Sequence, residues 1–288
     1  MFTIKIMEQF IYRIKKLIFI LSKLYKNTLV SIFYSLNKNK DIEEIININR
    51  QYLSEIENFL PEDAYKNNDY GIQKRIYKEL DKEIVKYPTY SDLMIYIMKL
   101  IHGSQNINYL EIGVSVLKNY LQINNAINNS HIHAYDINPI NPNFSDLELI
   151  SRNNNKLSYF QGSVLTPEDG QNFKLEANKD FDFIFSDALH TPEGIKSEYK
   201  LIIKENLSDD FIIYYDDLDF PGIEDEVYSI CEDLEFGINK KVHFYSFSIY
   251  GWIGNHEKTH KNGIITSYNL EQLFNDNKFK LLNFKVLK

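Results

Sequence analysis

Tyr109-Leu110-Glu111-Ile112 runs straight into Gly113-Val114-Ser115, an apolar segment of strand length followed by a glycine turn and then a stretch of helical length. Four more apolar runs of strand length follow, at residues 131–137, 157–161, 181–186 and 211–215, each separated from the next by a segment long enough for a helix. Short continuous apolar strands alternating with helices specify a parallel sheet buried on both faces. The predicted class is therefore α/β, a doubly wound and mostly parallel sheet. Upstream, Ser91 is placed to cap a helix carrying Leu93, Ile95, Tyr96, Met98, Leu100 and Ile101, which Gly103 stops. Downstream, residues 244–253 and 264–268 read as the last strands.

In such sheets the ligand lies beyond the carboxyl ends of the strands. Gly113 after the first strand allows a tight turn and close approach of backbone to a ligand. The second strand ends at Asp136, at about the twenty-residue distance where an acid meets a ribose hydroxyl in nucleoside-binding folds. The third ends in Gly162-Ser163, the fourth in Asp187-Ala188-Leu189-His190 and the fifth in Asp216-Asp217. Small or polar residues at all five ends make one coherent candidate site.

On these residues the stretch 89–253 resembles the class I S-adenosylmethionine-dependent methyltransferases, which implies a Rossmann-like fold. Leu110-Glu111-Ile112-Gly113 matches the first motif of that family, Asp136 its ribose-binding acid, and Phe160-Gln161-Gly162-Ser163 the turn that meets adenine. The runs Phe183-Ile184-Phe185-Ser186-Asp187-Ala188-Leu189-His190, Glu193-Gly194-Ile195-Lys196 and Tyr214-Tyr215-Asp216-Asp217 are most similar to the small-molecule, macrocin O-methyltransferase-like bacterial group. The resemblance implies S-adenosylmethionine bound by Glu111, Gly113, Ser115, Asp136, Gly162 and Ser163. It also implies a divalent metal, Mg²⁺, held by Asp187, Asp216 and Asp217, and a small-molecule or sugar hydroxyl as methyl acceptor. Such a cation takes carboxylate oxygens and lowers the pKa of a bound hydroxyl. Asp187 and His190 then become the catalytic pair, with His190 as base or acceptor-orienting group. Leu117 departs from the family pattern, standing where a second glycine is usual, and Ser115 stands where many members also have glycine. A leucine side chain at that helix start is expected to crowd the methionine portion of the cofactor. The same fold could instead serve as a non-catalytic scaffold or carry a redox enzyme such as a hydroxylase.

Thirty-two Lys and Arg against 40 Asp and Glu leave a net charge of −8, which argues against a nucleic-acid partner. The single cysteine, Cys231, rules out an intramolecular disulfide, and a reducing, cytoplasmic compartment is expected. Residues 1–88 read as an N-terminal helical region and 89–288 as the methyltransferase-like domain. Segments 41–60 and 73–85 have helical patterns, with Pro61 and residues 66–71 between them. In residues 1–40 the only acid is Glu8, against Lys5, Arg13, Lys15, Lys16, Lys23, Lys26, Lys38 and Lys40. Met7, Phe10, Ile11, Ile14, Leu17, Ile18, Leu21, Leu24 and Tyr25 share one helical face there, with Tyr12, Phe19 and Ile20 breaking the pattern. This basic amphipathic arm is expected to pack on protein, dimerise, or touch the inner face of a membrane peripherally. Its apolar runs are too short to span a bilayer, and no signal-peptide cleavage pattern follows.

His256-Glu257-Lys258-Thr259-His260 is a literal H-E-x-x-H. A zinc protease needs both histidines on one helical face, and this segment, flanked by Gly251, Gly254 and Gly263, is read as a polar loop. His256, His260 and Trp252 are candidates to line an acceptor pocket, although a surface loop is the simpler reading. Phosphate-loop and serine-nucleophile motifs are absent, and Cys231 reads as a small packing residue.

Overall fold

The computed structural model describes residues 13–18, 21–22, 29–30, 32–34, 37–57, 87–115, 117–178, 180–238, 240–251 and 259–288. The predicted helix at 73–85, together with Trp252 and His256, lies outside them. The chain forms two compact units, residues 1–38 and 39–288. In the first, residues 13–18 are helical, and Ile14, Leu17, Ile18 and Leu21 are all exposed.

The second unit begins with α1 (Lys40–Glu57), entered through Asn39, whose Oδ1 accepts from the backbone N–H groups of Asp41 and Ile42. Ile42, Ile45, Ile46, Asn49 and Leu53 recur at helical spacing and are buried. Helix α1 packs against α2 (Tyr90–His102) and α3 (Lys118–Ala126), so it belongs with the sheet domain, whereas sequence grouped it with residues 1–88. The cap of α2 is Thr89 rather than Ser91. Asp92 Oδ2 accepts from both the N–H and the hydroxyl of Thr89, while Ser91 is buried inside the helix. Arg50 from α1 closes on the same carboxylate at 2.7 Å, and Asn49 donates to its other oxygen. Gly103 ends α2 at φ +61°, as its position predicts.

One eight-stranded sheet follows, in the order β3-β2-β1-β4-β5-β7-β6-β8. Its parallel half is β1 (Asn108–Ile112), β2 (His131–Asp136), β3 (Lys156–Gln161), β4 (Phe181–Ser186) and β5 (Leu207–Tyr215). Alternation sends Tyr109, Phe183, Phe185, Ile212 and Tyr214 to one core and Leu110, Ile112, Ile184, Ile213 and Tyr215 to the other. Both faces are thus apolar and covered, the condition a parallel sheet requires. Helices α4 (Pro167–Ala177), α5 (Pro192–Glu198) and α6 (Ile223–Ile238) complete the crossovers. This is the doubly wound, Rossmann-like architecture that the strand pattern predicts.

The antiparallel end departs from expectation. Strand β6 (His243–Tyr250) pairs with β7 (Thr259–Thr266) along its whole length, from Tyr250 opposite Thr259 to His243 opposite Thr266. The pairing draws the polar residues Thr259 to Asn262 into a strand, although their composition reads as loop. After α7 (Leu270–Asp276), β8 (Leu282–Val286) adds an outer edge to β6 that the sequence reading lacked. Two of its five residues are partly buried and three are exposed, so no continuous apolar run announces it.

Candidate functional site

The crossing from β1 to β4 at the sheet centre puts the loops after β1, β2, β3, β4 and β5 at one edge. Gly113 has φ +86°, and a Cβ there would stand 2.3 Å from the backbone oxygen of Asp187. Only glycine lets the first loop pass the end of β4 this closely. The Gly113 N–H donates to the Tyr135 carbonyl (2.8 Å), and those of Val114 and Ser115 both donate to Asp136 Oδ2 (2.8 and 2.9 Å). The other oxygen, Oδ1, accepts from the backbone of Asn138 at 2.9 Å. Asp136 therefore organises the first loop as well as facing the cavity. At the end of β3, a Cβ on Gly162 would meet the Phe160 ring at 2.7 Å and the Tyr135 hydroxyl at 2.8 Å.

The loops after β1, β2, β3 and β4 enclose a cavity of about 520 Å³ lined by Gly113, Ser115, Asp136, Gly162, Ser163 and Asp187, among others. Ile137, Leu165 and Leu189 add exposed apolar side chains to its walls. Five of the six residues expected to hold the cofactor thus share one pocket. Glu111 does not line it. Its Oε2 accepts from the Tyr109 hydroxyl (2.9 Å) and from Asn119 Nδ2 (2.9 Å) in the interior, and burial pushes its pKa up to about 8. Leu117 is likewise absent from the lining. Its backbone takes the left-handed conformation, φ +60°, that the missing glycine would adopt freely. The side chain turns into the hydrophobic core, 2% exposed, rather than into the cavity.

Beside the cavity stand Asp187, His190, Asp216 and Asp217, joined by His260. Asp217, in a left-handed conformation at φ +56°, lies between two imidazoles. His190 Nδ1 is 3.0 Å from Asp217 Oδ2, and His260 Nδ1 is 2.9 Å from Asp217 Oδ1. Because an ionised carboxylate can only accept, both histidines donate to it from Nδ1. His190 Nε2 stands 3.8 Å from Asp187 Oδ1, and its ring lies 5.2 Å from that of the exposed Phe220. Strand β7 holds this turn in place. The Leu218 N–H donates to the Lys261 carbonyl (2.8 Å), the Lys261 N–H to Asp219 (2.8 Å), and Asn262 Nδ2 to Asp216 Oδ1.

The charges are unbalanced. Burial drives the Asp187 pKa well up, and the neighbouring Asp216, Asp217 and Glu111 add to it. Burial and then Asp217 push Asp216 up to about 6. Burial also works against ionised Asp217, yet the hydrogen bonds from His190 and His260 hold it well below the ordinary carboxylate range. The same hydrogen bonds raise both histidines. Behind the loop, burial lowers Lys118 to about 7, and its ammonium lies 4.8 Å from the centre of the Tyr90 ring. Two carboxylates, pushed up first by burial and then by neighbouring carboxylates, form a site that a cation would relieve. The donors available, carboxylate oxygen and imidazole nitrogen, fit a divalent metal ion.

Among the described residues, the groups of three whose ligand atoms lie within 4.8 Å of one another are Asp187–His190–Asp217 and Asp216–Asp217–His260. The expected trio Asp187, Asp216 and Asp217 is not one of them; a histidine enters each. In the sequence His260 stands out as the end of the H-E-x-x-H and as a candidate lining residue of an acceptor pocket, not as a metal ligand. It lies in β7 opposite Ile249, so the second histidine of that motif is on a strand and not on the helix a zinc protease requires. Asn262 and Lys118 carried no sequence signal, because each acts through a partner distant in the chain.

No family model and no curated protein matches the sequence. Among solved structures, an O-methyltransferase from Bacillus cereus in complex with SAH is 16% identical, with a TM-score of 0.41 over 84% of this chain and 96% of that one. The O-methyltransferase TomG from Streptomyces achromogenes, in complex with SAM, is 13% identical, with a TM-score of 0.43 over 72% and 90%. A precorrin 8W decarboxylase from Methanobacterium thermoautotrophicum is 16% identical, with a TM-score of 0.41 over 63% and 92%.

Proposed function

We propose that this chain is an S-adenosylmethionine-dependent methyltransferase that transfers the methyl group to a small-molecule or sugar hydroxyl with the help of a divalent cation. The observation that carries the reading is the adjacency of the glycine-loop cavity to the Asp187–His190–Asp217 cluster. Gly113, Ser115, Asp136, Gly162 and Ser163 offer backbone and polar groups along one wall, which supports a nucleoside there. Ile137 and Leu165 are apolar neighbours suited to the faces of a purine.

When bound, the cofactor supplies an electrophilic methyl group and the cation lowers the pKa of the acceptor hydroxyl. The protein must then orient that hydroxyl and accept its proton. His190 has the bearing for both. Asp217 fixes its Nδ1–H and stabilises the imidazolium, leaving Nε2 as the base. Asp187 faces that nitrogen, and Asp216 and Asp217 would supply carboxylate oxygen to the cation. Phe220 beside His190 offers an aromatic face to the acceptor.

Calorimetric titration with S-adenosylmethionine and S-adenosylhomocysteine tests the reading. Binding that disappears in Asp136→Ala is expected. No binding by the wild-type protein, with or without a divalent ion, would replace the enzyme with a scaffold on the same fold.

The arm within residues 1–40 is proposed to dock on an anionic membrane face. Ile14, Leu17, Ile18 and Leu21 are exposed beside Arg13, Lys15 and Lys16, which supports it. Among the described residues no helix is long and apolar enough to cross a membrane. Co-sedimentation with anionic vesicles should be lost on deleting residues 1–40, and sedimentation unaffected by the deletion would remove the idea.

A further inference from the structure

Resting on the divalent-ion reading above, we infer that the ion is held through imidazole as well as carboxylate, with His260 as a ligand beside Asp216 and Asp217, and that it is a first-row transition ion rather than Mg²⁺. Ligand atoms from these three residues lie within 4.8 Å of one another. His260 Nδ1 and Asp217 Oδ1 are 2.9 Å apart. That separation is the hydrogen bond described above, and it is also close to the roughly 3 Å between adjacent ligands of an octahedron with bonds of about 2.1 Å. The donors are also preorganised. His260 is fixed by its pairing in β7, and Asn262, two residues on, holds Asp216. Asp217 touches His190 through its other oxygen, which leaves that histidine to the acceptor.

Donor chemistry then decides the metal. Mg²⁺ prefers oxygen and keeps much of its water, whereas imidazole favours borderline ions such as Mn²⁺, Fe²⁺, Co²⁺ or Zn²⁺. Binding puts the ion in place of the proton on His260 Nδ1; a neutral ring carries that proton on Nε2 instead, and an imidazolium releases one proton to solvent. An all-oxygen site would have no such selectivity beyond the ordinary order of the ions.

The test uses the full chain, stripped of metal with a chelator and then titrated calorimetrically with Mg²⁺, Mn²⁺ and Co²⁺. Pulsed EPR on the Mn²⁺-loaded protein reads the ligand atoms directly. The expected results are imidazole ¹⁴N coupling to Mn²⁺ and Co²⁺ bound at least roughly 100-fold more tightly than Mg²⁺. In His260→Asp the coupling should vanish and the Co²⁺ preference should fall at least tenfold, with Mn²⁺ still bound. Absence of ¹⁴N coupling in the wild-type protein overturns the inference without any variant. Coupling that survives in both His260→Asp and His260→Asn overturns it as well, by assigning the nitrogen to another residue. S-adenosylhomocysteine binding is measured on the same samples. If it is intact while ¹⁴N coupling is missing, only this inference fails. If it is missing while coupling is present, the methyltransferase reading fails instead.

Discussion

Replacing Asp136 with asparagine changes one atom and should unsettle the whole first loop. The carboxylate accepts from Val114 and Ser115 at one oxygen and from Asn138 at the other, at 2.8–2.9 Å, and the residue is buried. An amide has one oxygen. Turned toward Val114 and Ser115, it keeps two bonds but loses their charge assistance, about 1 kcal/mol each. Its NH₂ then faces the Asn138 N–H, which is left without an acceptor at a cost of about 1–3 kcal/mol. The opposite orientation is worse, since two donors are orphaned. The total is on the order of 3 kcal/mol, which for a domain of this size lowers Tm by about 6–12 °C. Scanning calorimetry on Asp136→Asn and wild type reads this directly. The same loop frames the cavity, so affinity for S-adenosylhomocysteine should fall at least tenfold although no lining volume is removed. A Tm within about 2 °C of wild type would refute the assignment of Asp136 as the organiser of the loop.

Glu111→Gln should become more stable relative to wild type as pH rises from 5 to 7. The folded-state pKa of Glu111 is raised from 4.5 to about 8, so the contribution of this group to stability is fully present below 4.5 and is lost on the way to 8. Glutamine does not titrate, and the difference should grow by on the order of 2 kcal/mol across that window, which lies below the about 7 of Lys118. A difference independent of pH in urea unfolding would sink this. Leu117→Gly should relieve left-handed strain of about 1–2 kcal/mol and forfeit about 2–5 kcal/mol of core packing, a net loss. Its affinity for S-adenosylhomocysteine should move less than threefold, and a tenfold gain would mean the leucine does crowd the cavity. Asp92→Ala removes the anion that joins Arg50, Asn49 and the Thr89 cap, and should cost about 3–5 kcal/mol. Hydrogen exchange should quicken first in Lys40–Glu57; unchanged protection there would mean α1 is held by its apolar face alone.

The parallel half of the sheet was written locally. Its central strands β1 and β4 and the second half of β5 are short apolar runs, which burial on both faces demands whatever their neighbours are, whereas the edge strand β3 has no fully buried residue. Gly113, Asp136, Gly162 and Asp187 were legible for a related reason, because polar or small residues at consecutive strand ends must share one edge of a parallel sheet. Much of the rest depended on partners far away in the chain. Thr259 to Asn262 look like loop and become strand because β6 lies alongside to satisfy their backbone groups. Strand β8 is an edge element with little to bury, so its residues carry a weak pattern. Leu117 could be read as an obstruction because sequence names a side chain without its direction, and the backbone turns it into the core. Glu111 matched a motif yet faces Tyr109 and Asn119, since alternation along β1 decides which side a residue serves. His260 is the clearest case. Its chemistry was visible in the chain, but only the antiparallel return of β7 past the end of β5 brings it to Asp217, 43 residues away. The sequence by itself thus determined which residues could end the strands at a site. The pairing of strands distant in sequence decided which side chains meet there, because contact between them is a property of register and not of composition.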